Sequence, residues 1–207
     1  MTDFLFDGPG KAPWTVALAH GAGAPMDSPF MADVAAGLAG HGIRVARFEF
    51  PYMAGRRIDG KKRGPDRPAV LQQCWHDVIA ELGSDRLIIG GKSMGGRIAS
   101  LVADVAGVAG LVCYGYPFHP PGWPEKTRTE HLAALATPTL ICQGTRDTFG
   151  TPADVDGYAL SPAIRLHWLE DGDHSLRPRK ASGRTEAQNI DEAIAATAAF
   201  AAARWSA

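Results

Sequence analysis

The chain is short of the features that commit a protein to a special environment. Its 207 residues include three cysteines, Cys74, Cys113 and Cys142, far apart in sequence. They form no disulfide framework, and two lie inside apolar runs, where a thiol serves as a small buried hydrophobe of a reducing compartment. The chain has no C-x-x-C pair and no His/Cys cluster, so the common zinc patterns are excluded. No run of about 18 apolar residues exists to cross a membrane as a helix. The opening Met1-Thr2-Asp3-Phe4-Leu5-Phe6-Asp7-Gly8 has neither the basic region nor the apolar core of a signal peptide. A formal net charge of −1 provides no general attraction for nucleic acid or an anionic membrane. These absences predict a cytoplasmic protein with no nucleic-acid partner, no membrane partner and no cofactor. They leave its oligomeric state open.

What is present is a core. An apolar content of 45% over this length supports one domain spanning residues 1–207. After a Gly/Pro-rich opening, Trp14-Thr15-Val16-Ala17-Leu18-Ala19 reads as a buried strand ending in His20-Gly21-Ala22-Gly23. Residues 28–40 show helical spacing. Residues 43–50 alternate, which predicts a strand with one face less buried. Residues 51–68, dotted with Gly and Pro, read as a loop, followed by a helix over about 69–82 and a strand over 86–90. A helix at 94–104 and a strand at 108–114 come next. The proline-rich 115–124 must be irregular. A short helix around 126–136, a strand at 139–143, a short helix at 152–160, a strand at 164–169 and a helix at 186–204 complete the chain. Strands alternating with helices at this spacing imply βαβ units and a largely parallel sheet, an α/β fold.

One stretch punctuates this pattern. Leu87-Ile88-Ile89-Gly90-Gly91-Lys92-Ser93-Met94-Gly95-Gly96-Arg97 takes an apolar strand through a tight glycine-flanked turn into a helix. Gly91-Lys92-Ser93-Met94-Gly95 fits G-x-S-x-G, the strained elbow that exposes a serine hydroxyl at the end of a central strand. The same residues fail as a phosphate-binding loop, because that pattern needs glycine at position 86, where this chain has Arg86.

In open α/β sheets, functional groups gather at the carboxyl ends of strands. Those ends carry, in order, His20-Gly21-Ala22-Gly23, then Ser93, then Gly144-Thr145-Arg146-Asp147, then Gly172-Asp173-His174. The order Ser93, Asp147, His174 is that of an elbow-type triad. A serine hydroxyl is a weak nucleophile and needs a base, the role expected of His174. Asp147 would fix the imidazole tautomer, with Asp171 and Asp173 as competing carboxylates close to His174 in sequence. The backbone N–H groups of Met94 and Ala22 are the natural oxyanion donors. His20 reads as a structural histidine of that turn. His119 and Trp123 read either as the mouth of the site or as an exposed loop. Lys92 and Arg97 carry no assigned catalytic role.

These motifs, with Gly115-Tyr116-Pro117-Phe118-His119-Pro120-Pro121-Gly122 and Gln143-Gly144-Thr145-Arg146-Asp147, resemble the α/β-hydrolase fold family over residues 14–185. Within it, the chain looks like the small dienelactone-hydrolase-related subgroup that includes testis-expressed protein 30-like proteins. Dienelactone hydrolases proper use cysteine at the elbow, whereas this chain has Ser93. The resemblance implies a three-layer αβα sandwich. Only about twenty residues separate Tyr116 from Thr137, too few for a cap domain, so the site should be shallow and open. The expected activity is a serine hydrolase acting on a small-molecule ester or thioester through an acyl-enzyme, with no metal. The alternative is a catalytically silent module that binds a protein or an anionic partner. The basic run Arg56-Arg57…Lys61-Lys62-Arg63…Arg67 reads as a solvated loop or as a cationic rim.

Overall fold

The computed structural model describes residues 2–205. Its strands are β1 (Phe4–Asp7), β2 (Thr15–Ala19), β3 (Arg44–Phe48), β4 (Leu87–Lys92), β5 (Gly110–Tyr114), β6 (Thr139–Gly144) and β7 (Ile164–Leu169). They form one sheet in the order β1-β3-β2-β4-β5-β6-β7. Only β1 runs antiparallel, against β3. The helices are α1 (Pro29–Gly40), α2 (Pro51–Asp59), α3 (Pro68–Leu82), α4 (Met94–Ala106), α5 (Pro152–Val155) and α6 (Glu186–Trp205).

Strand residues alternate between two helical layers because successive side chains point to opposite faces. Ala17, Ala19, Leu87, Ile89, Leu111, Cys113 and Ile141 pack with α2, α3 and α4 on one side. Val16, Leu18, Ile88, Val112, Leu140 and Cys142 pack with α1 and α6 on the other. Both faces are therefore covered, which is why the central strands read as continuous apolar runs. Trp75 of α3 is fully buried and meets Phe48 edge-on, with centroids 4.7 Å apart. A buried side chain of this kind stabilises the fold by roughly 1.5–3 kcal/mol relative to exposure.

Four expectations from sequence need correction. Residues 51–59 form α2 rather than loop: Pro51 occupies the first turn, Tyr52 and Met53 are buried, and Gly60 ends the helix in a left-handed conformation. β3 is buried on both faces, because the Arg47 guanidinium is neutralised by Asp7 of β1 at 2.9 Å and also donates to the Met26 carbonyl. The helix expected around 126–136 shrinks to a 3-10 turn at Glu130–Ala133. The one expected over 152–160 stops at Val155, although its start is capped reciprocally by Thr151 and Asp154. β1 itself, four residues long and half exposed, lay hidden in the Gly/Pro-rich opening. Among the described residues nothing caps the sheet's carboxyl edge with a further domain: residues 115–129 are irregular.

Candidate active site

Ser93 sits between β4 and α4 with φ 50° and ψ −114°, a conformation non-glycine residues avoid. Strain of this kind typically costs about 1–3 kcal/mol, and the surroundings must over-determine it. They do so by close packing. A Cβ on Gly91 would lie 2.0 Å from the Ala19 carbonyl oxygen, and one on Gly95 would lie 2.4 Å from the same atom. Both glycines are therefore required for α4 to start this close to β2. The Ser93 N–H donates to the Tyr114 carbonyl at 3.0 Å, and the Arg97 N–H donates to the Ser93 carbonyl. The side chain is left as the free end.

The structure brings the three predicted residues together. Ser93 Oγ lies 2.8 Å from His174 Nε2, and His174 Nδ1 lies 2.8 Å from Asp147 Oδ2. A carboxylate only accepts, so the imidazole proton belongs on Nδ1, leaving Nε2 to accept from the Ser93 hydroxyl. Asp147 is fully buried. Its second oxygen accepts from the Phe149 N–H at 2.9 Å, and Gln143 Nε2 donates to Oδ2 at 2.8 Å. The competing acids are engaged elsewhere. Asp171 accepts from the Arg179 side chain and N–H, and Asp173 accepts from the Ser175 and Arg177 N–H groups.

The turn that carries Ala22 is held from beneath. His20 is buried; its Nδ1 lies 2.7 Å from the Gly21 carbonyl, and its Nε2 accepts from the Phe50 N–H at 3.1 Å. Those partners select the neutral Nδ1–H tautomer, and burial pushes the pKa below the usual histidine value. His20 is therefore a structural histidine of the turn, with no nitrogen free for a second base. The Tyr52 hydroxyl donates to the Ala22 carbonyl at 2.9 Å. Among the described residues the Ala22 and Met94 N–H groups donate to no backbone or side-chain acceptor.

Lys92, Gln143 and Tyr52 are contributors that the sequence reading missed. The Lys92 ammonium is pushed down to about 8 by burial, donates to the His174 carbonyl and lies 5.6 Å from the Phe30 ring centroid. It ties the elbow to the histidine loop. Phe149 packs on the imidazole with centroids 4.2 Å apart. Gln143 was visible as a polar residue ending an apolar strand; Lys92 and Tyr52 carried no such mark. His119 and Trp123 stay away from the site. His119 is buried 3.6 Å from Asp154, and Trp123 is exposed with Lys126 stacked 3.7 Å from its ring centroid.

A cleft of about 510 Å³ opens above Ser93, bordered by Gly23, Phe30, Met31, Lys92, Phe149 and Arg177. The basic run is partly neutralised: Arg57 pairs with Glu49 and Asp27, and Arg63 pairs with Asp59. Among the described residues no group of three or more His, Cys, Asp or Glu is placed to hold a metal ion. Nor is any helix long and apolar enough to cross a membrane.

Solved structures share this architecture at low sequence identity. An alpha-beta serine hydrolase homologue from Coxiella burnetii superposes with a TM-score of 0.66 at 19% identity, covering 92% of this chain and 88% of that one. A serine hydrolase without lid from Xanthomonas campestris gives 0.65 at 18% identity, covering 93% and 87%. The monoacylglycerol lipase of Paleococcus ferrophilus gives 0.66 at 14% identity, covering 94% and 99%. These likenesses establish the α/β-hydrolase fold. The profile of the family described as alpha/beta hydrolase domain matches residues 12–202, and the chain belongs to that family.

Proposed function

We propose that the protein is a serine hydrolase that cleaves an ester or thioester through an acyl-enzyme, with Ser93, His174 and Asp147 as its triad. The observation that carries this reading is the continuous chain from Ser93 Oγ through His174 to buried Asp147, each link 2.8 Å long. Ser93 Oγ attacks the substrate carbonyl carbon while its proton passes to His174 Nε2. Asp147 holds the imidazole and stabilises the imidazolium, without taking the proton itself. The carbonyl oxygen gains the negative charge, which the Ala22 and Met94 N–H groups receive, each worth about 3–4 kcal/mol in such sites. The C–O or C–S bond then breaks, and His174 returns its proton to the leaving oxygen or sulfur. Water repeats the sequence on the acyl-enzyme, its proton going to His174 and then to Ser93 Oγ.

This reading takes residues 1–207 as one catalytic domain in a reducing, cytoplasmic setting, needing no cofactor. The motif set and the missing cap support a place in the small dienelactone-hydrolase-related subgroup, with serine in place of cysteine. A fluorophosphonate probe tests the chemistry. Wild-type protein should label and Ser93→Ala should not. Absent labelling of the wild type, or equal labelling of both, returns the chain to a silent binding module.

A further inference from the structure

Two clefts meet at Ser93, and the far end of the second, away from the Ala22 and Met94 N–H groups, has no role in the chemistry above. It encloses about 320 Å³ and shares Ala22, Ser93 and Phe149 with the first, adding Met94, Arg97, Pro117 and Arg128. Away from Ser93 and the Ala22 and Met94 backbone, its walls are Pro117, Phe149 and the two arginines. Neither arginine forms an ion pair among the described residues. Arg97 Nε is buried and has no hydrogen-bond partner. An unmet charged donor is expensive, because the desolvation cost is not returned by a bond. Each arginine also lies in the other's field: the Arg128 pKa is lowered first by burial and then by Arg97. The polar groups below them, Tyr116, Ser100 and His131, bond to one another and to the Arg97 and Arg128 carbonyls, and none is an anion. Two half-buried cations facing a small cleft beside the nucleophile lack only a counter-charge.

We propose that this cleft is an anion subsite, and that the preferred substrate is an ester or thioester carrying a carboxylate a short chain away from the scissile carbonyl. The substrate's carboxylate occupies the space between Arg97 and Arg128, accepts from guanidinium N–H groups that face the cleft and relieves the repulsion between the two guanidiniums. A planar guanidinium suits this task, since it stays charged and offers donors in a fork that matches a carboxylate. The inference rests on the triad reading for its activity assay and deepens it by naming a substrate class.

The test compares p-nitrophenyl monoesters of glutarate, which carry the carboxylate, with p-nitrophenyl valerate of similar length. A second pair places the charge on the alcohol side: butyryl esters of 3-hydroxypropionate and of propanol. In at least one pair the charged ester should be preferred about tenfold to a hundredfold in kcat/KM, the range expected for hydrogen bonds to a charged group. That preference should fall at least tenfold in Arg128→Met and in Arg97→Met, with Arg97→Lys intermediate. Thermal unfolding of each variant identifies any that fails to fold, and Arg97→Lys or Arg128→Met then carries the comparison alone. Neutral esters turned over without any charge preference overturn the subsite and leave the triad standing. A preference that survives both arginine substitutions overturns it as well. Binding gives a readout free of turnover, by calorimetric titration of monomethyl glutarate into Ser93→Ala. Saturable binding that is lost on adding Arg97→Met or Arg128→Met supports the subsite even if the triad proves silent; absence of saturable binding overturns it.

Discussion

The two sides of the cleft hold their functional side chains by different means. On the elbow side, Ser93 is fixed by backbone packed against backbone, with Gly91 and Gly95 pressed under the Ala19 carbonyl and no room for a single extra carbon. On the other side, residues 170–179 form a loop held at points. Leu176 is a buried plug in the α1/α6 layer, and Asn189 of α6 donates to the Leu176 and Glu170 carbonyls at 2.8 and 3.1 Å. Asp171, at φ 53°, is clamped by Arg179, and Lys92 holds the His174 carbonyl. The serine is set by sterics that no solvent can alter. The histidine is set by polar bonds, one of them to an arginine side chain that is 65% exposed. In the proposed mechanism the nucleophile, at a strained dihedral, needs the first kind of support, whereas the base, which would receive and return a proton, works with the second.

That contrast makes separable predictions. Gly91→Ala should do the most damage, because its Cβ overlaps a buried carbonyl that cannot move without breaking the β2–β4 ladder. A loss above about 4 kcal/mol in urea unfolding, or failure to express in soluble form, is expected. A stable Gly91→Ala protein would show that the elbow is not sterically locked. Asp147→Asn should cost less in the same assay, about 1–3 kcal/mol, because an amide NH2 set against His174 also faces the buried Gln143 Nε2 donor. It should lower kcat toward the neutral ester by about 10⁴-fold, since an amide that donates to Nδ1 selects the wrong tautomer. Lys92→Met removes the tie between the two sides. Its kcat should fall about tenfold to a hundredfold with KM little changed, as expected when a base is misplaced by a fraction of an ångström. Equal activity would assign the holding of His174 to Leu176 and Asn189 alone.

Arg179→Met should act on the loop only, lowering kcat by less than Lys92→Met does. Because the Arg179 side chain is exposed, 1 M salt should reproduce part of that loss in wild type. Acid should separate the sides once more. His20 has a folded pKa below its ordinary 6.5, so the unfolded chain binds the proton more readily, and stability falls as pH drops below about 6.5 until the folded value is reached. His131 has the same sign, through burial and then Arg97. The Asp171 carboxyl is held below 3.8 by Arg179, so its contribution is fully present above that value and is lost only as pH falls through the lower folded one. Tm measured from pH 7 to 5 should decline in wild type and decline less in His20→Gln. A slope identical in both proteins would place the acid sensitivity elsewhere.

The sequence disclosed the parts of this molecule that are short-range. Ser93, Asp147 and His174 each follow a strand, so apolar runs and glycine turns located them without any knowledge of how they meet. The central strands were legible because burial on both faces leaves no polar residue to interrupt them. α2 was not, since Pro51, Gly55 and Gly60 look like loop punctuation, although Pro51 only opens the helix and Gly60 only closes it. Arg47 misled for a related reason: a charge inside β3 suggests a wet face until its partner Asp7 is known, and that partner sits in a strand of four residues. Lys92 and Tyr52 act at the ends of long side chains across the fold. No local pattern encodes such reach.

The absence of a roof over Ser93 also bears on where an acyl group goes once it is attached. Among the described residues no segment would have to swing shut before attack or open before release, so the proposed turnover would have no gating step to set its pace. An acyl-enzyme formed by the proposed mechanism would be in contact with bulk solvent throughout its lifetime. Any small nucleophile dissolved there competes with water according to its concentration, and added methanol or hydroxylamine should divert acyl groups from acid to methyl ester or hydroxamate. The partition ratio then becomes a property of the medium as much as of the protein.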